Sequence, residues 1–319
     1  MQSHPRLSEL VVKYGSYSDK DKPVILKNGD LGIYFVNGEK TGITDTSFIK
    51  PNEEKPFEII SRCVKIMKEN PDFDEVIDIM AGKVQELLDD YDGVVAVSGG
   101  QTRDWVFSGP IAHKLVVPHI ILFKDGRVQY TTASSEDGNG NYKPGTVVET
   151  TAPLSVSAVH VADMLTKGSS AYDPNHTPPT GWIPMLRNKG VTVDHYVTML
   201  TRLQGGEEIL AKAVHNGESA PIQTHSFVAI DDDFLRTYSK DPESAIRSRD
   251  SAAWTKEYLK EGDLTSLVSF FDPKGKIDHG INFMNKYRGH LEQVGRFDEF
   301  NKMVQDKYGK PIDELVGGK

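Results

Sequence analysis

The chain has 319 residues, 38% hydrophobic and 26% charged, and 37 Lys and Arg face 46 Asp and Glu for a formal net charge of −9. That length allows one large domain, or a domain with a substantial appendage, to bury a real core. The acidic balance argues against broad capture of nucleic acid or an anionic membrane, and a single cysteine, Cys63, excludes an internal disulfide and any cysteine-based metal cluster. No apolar run approaches the roughly 20 residues needed to span a bilayer, and Met1–Gly15 carries Arg6, Glu9 and Lys13 rather than a secretory core. A cytoplasmic protein is expected.

Residues 23–37 read as two short strands around the turn Lys27-Asn28-Gly29-Asp30, because β-branched and aromatic residues flank a pair that tolerates positive φ. Pro56 starts a helix through about Lys68, with Ile60, Cys63, Val64 and Met67 on one face, so the cysteine reads as buried packing. A second helix, about Asp74–Leu88, repeats the spacing with Ile77, Met80, Ala81, Val84 and Leu88. The run Val94–Val97 has the form of a strand buried on both faces. A glycine loop, Ser98–Arg103, and a helix, Trp105–Leu115, follow it.

Val117–Phe123 and Arg127–Ala133 read as strands, and 134–143 as a polar, mobile loop. The stretch Gly145–Ser157 reads as strand, tight hydroxyl-rich loop and helix start, with the helix running to Leu165 on an inner face of Ala158, Val161, Ala162 and Leu165. Such a junction aims backbone N–H groups and a helix dipole at one point and suits a phosphate; an ordinary βα turn is the alternative. Residues 168–181 read as a surface insertion. A short helix from Trp182, a strand over Val191–Leu200, a helix from Gly205-Gly206, a strand over Ile222–Ile230 and a helix over Phe234–Lys240 complete the alternation.

This order means an α/β fold with a mostly parallel sheet flanked by helices, with ligands held at the strand carboxyl ends. From about Asp241 strand signals stop, and helices over 244–261, 264–271, 280–294 and 297–308 form a C-terminal extension. The expected division is an α/β domain over 1–243 and a helical extension over 244–319. His113, His119, His160 and His195 sit in apolar patterns and read as core histidines. No histidine and carboxylate spacing suggests a zinc site or other protein-built metal centre.

Four segments together resemble the type I phosphoribosyltransferases, and among them the orotate enzymes. Leu26-Lys27-Asn28-Gly29-Asp30-Leu31-Gly32-Ile33-Tyr34-Phe35 is similar to that group's amino-terminal signature. Val97-Ser98-Gly99-Gly100 occupies the place of its pyrophosphate loop, Lys143–Glu149 has the form of the approach to its diphosphate-sugar motif, and Thr201–Glu208 resembles its late Asp-Arg-Gln-Glu-Gly-Gly segment.

The resemblance implies transfer of a phosphoribosyl group from 5-phosphoribosyl-1-pyrophosphate (PRPP) to a nucleobase, orotate favoured, with release of pyrophosphate. Mg²⁺ held mainly through PRPP and a homodimer are implied with it. By position, Glu149 would hold ribose hydroxyls, and Thr150 with the loop Pro153, Leu154, Ser155, Val156 and Ser157 would cradle the 5-phosphate. Gly99 and Gly100 would let the backbone approach pyrophosphate. Lys124 and Arg127 stand where a cationic lid would stabilise the leaving group, and Lys27, Tyr34, Phe35 and Arg202 would face the base. Arg103 would meet pyrophosphate or form a structural ion pair. The family motif has two adjacent acids followed by Thr-Thr-Gly, whereas Glu149 is followed by Thr150. A fold relative that binds PRPP or a nucleotide without transferring anything is the alternative function.

Overall fold

The computed structural model describes residues 3–50, 53–148 and 153–317. The elements, in chain order, are α1 (Pro5–Lys13), β1 (Tyr17–Ile25), β2 (Leu31–Val36), α2 (Pro56–Glu69), α3 (Pro71–Leu88), β3 (Val95–Gly100), α4 (Trp105–Leu115), β4 (His119–Leu122), β5 (Val128–Thr131), β6 (Ser135–Glu136), β7 (Tyr142–Lys143), β8 (Val147–Val148), β9 (Val156–Leu165), α5 (Trp182–Asn188), β10 (Val191–Thr201), α6 (Gly206–Ala211), β11 (Val214–His215), β12 (Glu218–Ser219), β13 (Gln223–Ala229), α7 (Asp232–Tyr238), α8 (Pro242–Arg247), α9 (Ser251–Glu261), α10 (Ile277–Gln293), α11 (Phe297–Tyr308) and α12 (Ile312–Val316), with short 3-10 turns at Gly38–Lys40 and Leu264–Phe271. The chain divides into two compact units, one comprising residues through Ser16 with Asn37–Asp231, the other Tyr17–Val36 with Asp232 onward. The β1–β2 hairpin, expected in the α/β domain, therefore groups with the C-terminal helices.

The first unit is built on a seven-stranded sheet of order β13-β10-β9-β3-β4-β5-β8. β13, β10, β9, β3 and β4 run parallel, while β5 pairs antiparallel with β4 and β8. The chain runs outward from β3 to β4, then returns to the other side of β3 for β9, β10 and β13, so the strand order reverses between β3 and β9. Ala158 and Ala162 of β9, Trp182, Ile183 and Leu186 of α5 and Leu210 of α6 share one buried cluster. Helices α3 and α4 pack on the central strands, and α2 packs on both of them. Asn70 caps α3, its side chain accepting from the Asp72 N–H, which lets the helix begin at Pro71 rather than Asp74.

Residues 156–165 form a strand, not the expected helix. Their apolar positions fit a helical stripe, but the segment lies between β3 and β10, where both faces of a parallel strand are covered and a continuous apolar run is what burial demands. Gly99 and Gly100 also belong to a strand, pairing with Ile121 and Leu122 of β4. A Cβ on Gly99 would lie 2.1 Å from Ser108 Oγ, and one on Gly100 2.3 Å from the Trp182 ring, so core packing itself requires both glycines.

The segment 134–143 folds as the β6–β7 hairpin. Thr131 pairs with His119, the first residue of β4, so the chain leaves β5 at the amino end of the parallel strands. Glu136 there meets Lys68 at 2.6 Å, and Ser134 Oγ lies 2.8 Å from His113 Nδ1.

In the second unit Gly29, with φ +86, turns β1 into β2, and a Cβ there would meet the Asn282 carbonyl at 2.6 Å. The Lys27 carbonyl accepts from Asn282 Nδ2 at 2.8 Å. Buried Asp30 accepts from Tyr287 at 2.6 Å and from Ser251 at 3.0 Å. Burial opposes its charge, yet hydrogen bonds from Tyr287, Ser251 and Lys286 hold its carboxyl below the usual carboxylate range. Tyr34 is buried against Tyr17, with ring centroids 5.4 Å apart, and Lys20 lies 5.0 Å over the Phe35 ring. Phe271, Phe283, Phe300 and Leu291 form the core. The helix expected over 244–261 is two helices, because Asp250 caps α9 by accepting from the Ala253 N–H at 3.1 Å.

Candidate functional site

Open parallel sheets bind ligands at the strand carboxyl ends where the strand order reverses, which here means the carboxyl ends of β3 and β9. Two loops follow them. After β3 comes Gln101-Thr102-Arg103-Asp104, and after β9 comes Thr166-Lys167-Gly168-Ser169-Ser170.

The second loop is rich in hydroxyls and turns at Gly168, whose φ is +77 and whose Cβ would lie 3.1 Å from the Gly206 Cα. The Gly206 N–H donates to the Thr166 carbonyl at 3.0 Å, and the Ala171 and Tyr172 N–H groups both reach the Gly168 carbonyl. Lys167, Ser169 and Ser170 are exposed. Among the described residues, no carbonyl or side chain accepts from the backbone N–H groups of Lys167, Gly168, Ser169 or Ser170. A row of unclaimed N–H groups around a positive-φ glycine is the local geometry that receives an oxyanion.

Asp104 fastens the two loops together. Its Oδ2 accepts from the Gly100 N–H at 3.0 Å, and its Oδ1 from the Asp163 N–H at 3.1 Å. Asp163, at the end of β9, is 7% exposed, and its Oδ2 has no hydrogen-bond partner among the described residues. Burial, reinforced by the Asp104 and Glu39 carboxylates and opposed by Arg103, pushes its carboxyl well above the usual carboxylate range. Glu39 reaches this group because Gly38 presses against the Asp163 carbonyl, and it pairs with Arg103 at 3.3 Å. The structural ion pair foreseen for Arg103 is thus present, with the guanidinium half-exposed. His160 is fully buried, 3.1 Å from Ser98 Oγ through Nδ1 and 3.7 Å from Asp104 Oδ2 through Nε2.

The other strand ends carry further expected residues. The Lys124 N–H donates to Gln101 Oε1 at 2.8 Å, which ties the turn after β4 to the loop after β3. Arg127 pairs with Asp125 at 2.7 Å and Glu54 at 3.4 Å and covers the Phe123 ring at 4.4 Å. Residues 123–127 form a short turn closed by the Gly126 N–H to the Phe123 carbonyl. At the end of β10, the Arg202 N–H donates to the Leu165 carbonyl at 3.0 Å. Thr201 Oγ1 accepts from Leu203 N–H and donates to Glu207, so Glu207 is held by a hydroxyl.

The expected phosphate loop lies elsewhere. Ser157 pairs with Val95, so Ser155 is two residues before that level and Gly99 four beyond it; at ~3.3 Å per residue they are about 20 Å apart. Pro153, Leu154, Ser155, Val156 and Ser157 enter β9 at its amino end, where the Leu154 N–H bonds to the Lys189 carbonyl at 2.8 Å. They are not brought to Gly99. Glu149 and Thr150 lie outside the described residues. Lys27, Tyr34 and Phe35 belong to the second unit.

Sequence reasoning missed Asp163, Glu39 and the 166–170 loop, since reading β9 as a helix hid its strand end. The available signal was a ten-residue apolar run with three valines, entered after Pro153 and closed by Thr-Lys-Gly-Ser-Ser. Among the described residues, no group of three or more His, Cys, Asp or Glu is arranged to hold a metal ion, and no helix is long and apolar enough to cross a membrane.

No protein-family model matches the chain, and no curated protein does. Solved structures do resemble it. An orotate phosphoribosyltransferase from Aeropyrum pernix is 16% identical over 72% of this chain and 98% of its own, with a TM-score of 0.43. UMP synthase from Leishmania donovani is 12% identical over 77% of this chain and 42% of its own, at 0.45. An adenine phosphoribosyltransferase from Trypanosoma brucei, solved with AMP, pyrophosphate and ribose-5-phosphate, is 14% identical over 72% of this chain and 81% of its own, at 0.42.

Proposed function

We propose that the site at the carboxyl ends of β3 and β9 binds PRPP and that the protein transfers its phosphoribosyl group to a nucleobase, orotate favoured. The observation that carries the reading is the open loop 166–170, with its exposed hydroxyls and unclaimed N–H groups, beside the buried carboxyl of Asp163. Asp163-Met164-Leu165-Thr166-Lys167-Gly168 keeps the order of acid, then threonine, then glycine that marks the sugar-phosphate motif of the resemblance. In this reading the Lys167–Ser170 N–H groups and the Ser169 and Ser170 hydroxyls hold the 5-phosphate, and Asp163 Oδ2 accepts from ribose hydroxyls.

In the transfer, the bond from ribose C1 to the pyrophosphate oxygen breaks with its electron pair leaving on pyrophosphate, and a base nitrogen bonds to C1. Positive charge grows on the ribose and negative charge on the leaving group, so the protein's task is charge placement and water exclusion. Arg103 and the turn carrying Lys124 and Arg127 supply positive charge at the strand ends. The unpartnered, buried oxygen of Asp163 is a hard donor that would hold Mg²⁺, whose charge would favour a diphosphate leaving group.

A second reading, a binder that transfers nothing, is favoured by two observations. Met164 stands beside Asp163 where the resemblance has a second acid, and the turn at 123–127 is short, with Arg127 already engaged by Asp125 and Glu54. Calorimetric titration with PRPP and Mg²⁺, run beside the loss of orotate absorbance and an adenine control, separates the two. Binding that Ser169→Ala and Ser170→Ala weaken, with turnover, supports transfer; such binding without turnover on either base supports the second reading. No PRPP binding, or binding indifferent to these two variants and to Asp163→Asn, removes both.

A further inference from the structure

A pair of histidines on the sheet, away from the strand carboxyl ends, has no part in the proposed chemistry. Val197 of β10 pairs with His225 of β13, which places His195, two residues before Val197, on the same sheet face as His225. Their rings meet with centroids 5.4 Å apart and with His195 Nδ1 3.3 Å from His225 Nε2.

That separation is long for a hydrogen bond, whose usual donor–acceptor distance is about 3.0 Å. It matches two imidazole nitrogens on one tetrahedral ion, since ligands at ~2.05 Å subtending a tetrahedral angle lie about 3.3 Å apart. Burial lowers the pKa of both rings, with Lys83 adding to the effect at each.

The charge around His195 favours a cation. Asp194 and Asp90 act on His195, and Glu86 of α3 acts on His225, against the single ammonium of Lys83, which is itself paired with Glu86 at 2.7 Å. Tyr91 packs edge-on against His195 at 5.9 Å and closes one side.

We propose that His195 and His225 form a two-imidazole site for a borderline divalent cation, Zn²⁺ being the natural occupant. Water completes the coordination. The ion clips β13, the outermost strand, to β10. Hard ions such as Mg²⁺ are not taken, because nitrogen donors select borderline metals over oxygen-preferring ones.

The test uses the full chain, metal-free, titrated with ZnCl₂ and with CuCl₂ at pH 7.5. One equivalent should bind and raise the melting temperature, and His195→Gln and His225→Gln should each weaken Zn²⁺ binding at least tenfold. Affinity should fall as pH drops, because protons compete with the ion for the ring nitrogens. Copper EPR of the unaltered protein counts nitrogen ligands directly and does not depend on variants that fold; two equivalent nitrogens are expected. A one-nitrogen signal, Zn²⁺ uptake unchanged in both variants, or no uptake overturns the proposal and leaves the pair as a hydrogen bond.

Discussion

Oδ1 of Asp104 accepts the backbone N–H of Asp163 at 3.1 Å, and the other oxygen of the same carboxylate accepts from Gly100 at 3.0 Å. One side chain therefore fixes the relative height of β3 and β9 at their carboxyl ends. A carboxylate offers acceptors on both oxygens, and an amide offers only one.

Asp104→Asn should destabilise the protein by about 1–3 kcal/mol, because one buried N–H loses its acceptor and faces an NH₂ donor. Urea unfolding measures the loss. Under the proposed function the same variant should weaken PRPP binding, since both loops shift; an unchanged denaturation midpoint would show that the clamp is not structural.

Asp163 gives a pH dependence of definite sign. Its folded pKa lies well above the unfolded value, so above about pH 4 the folded state holds a proton that the unfolded state has released. Stability contributed by this group is full below the unfolded pKa and falls as pH rises toward the folded one, by up to about 1.4 kcal/mol per pH unit. Asp163→Asn should flatten that slope, as followed by melting temperature between pH 5 and 8. Binding of a cation or ribose at Asp163 should release a proton, visible as a buffer-dependent calorimetric enthalpy.

Gly99 tests the packing account of the glycine pair. Gly99→Ala puts a methyl 2.1 Å from Ser108 Oγ and should cost about 1–3 kcal/mol. Combining it with Ser108→Gly removes the obstructing atoms, so the double variant should lose less than the sum of the two singles. Additive losses would point to a role for Gly99 outside this contact.

Leu203 is 37% exposed and holds φ +51 at the end of β10. A branched side chain in the left-handed region costs roughly 1–2 kcal/mol, so Leu203→Gly should be neutral or stabilising, the added chain entropy of glycine taking back part of the gain. Stability gained with PRPP binding lost would show strain retained for the ligand.

The sequence determined the alternation of strands and helices and the helical character of the C-terminal portion. Short-range signals carry these: Pro56 at a helix start, β-branched runs at 94–97 and 117–123, and apolar spacing along α2, α3, α10 and α11. It also marked the loop after β3 and the strand ends carrying Lys124, Arg127 and Arg202. Only the tertiary structure decided that 156–165 is a central strand, because the same apolar spacing suits a helix packed on one face and a strand covered on both. That choice moved the candidate site from Pro153–Ser157 to Asp163–Ser170, at the opposite end of the sheet. The partners of Asp104, the company of Glu39 with Arg103, and the meeting of His195 with His225 depend on contacts between residues distant in sequence, which no local pattern encodes.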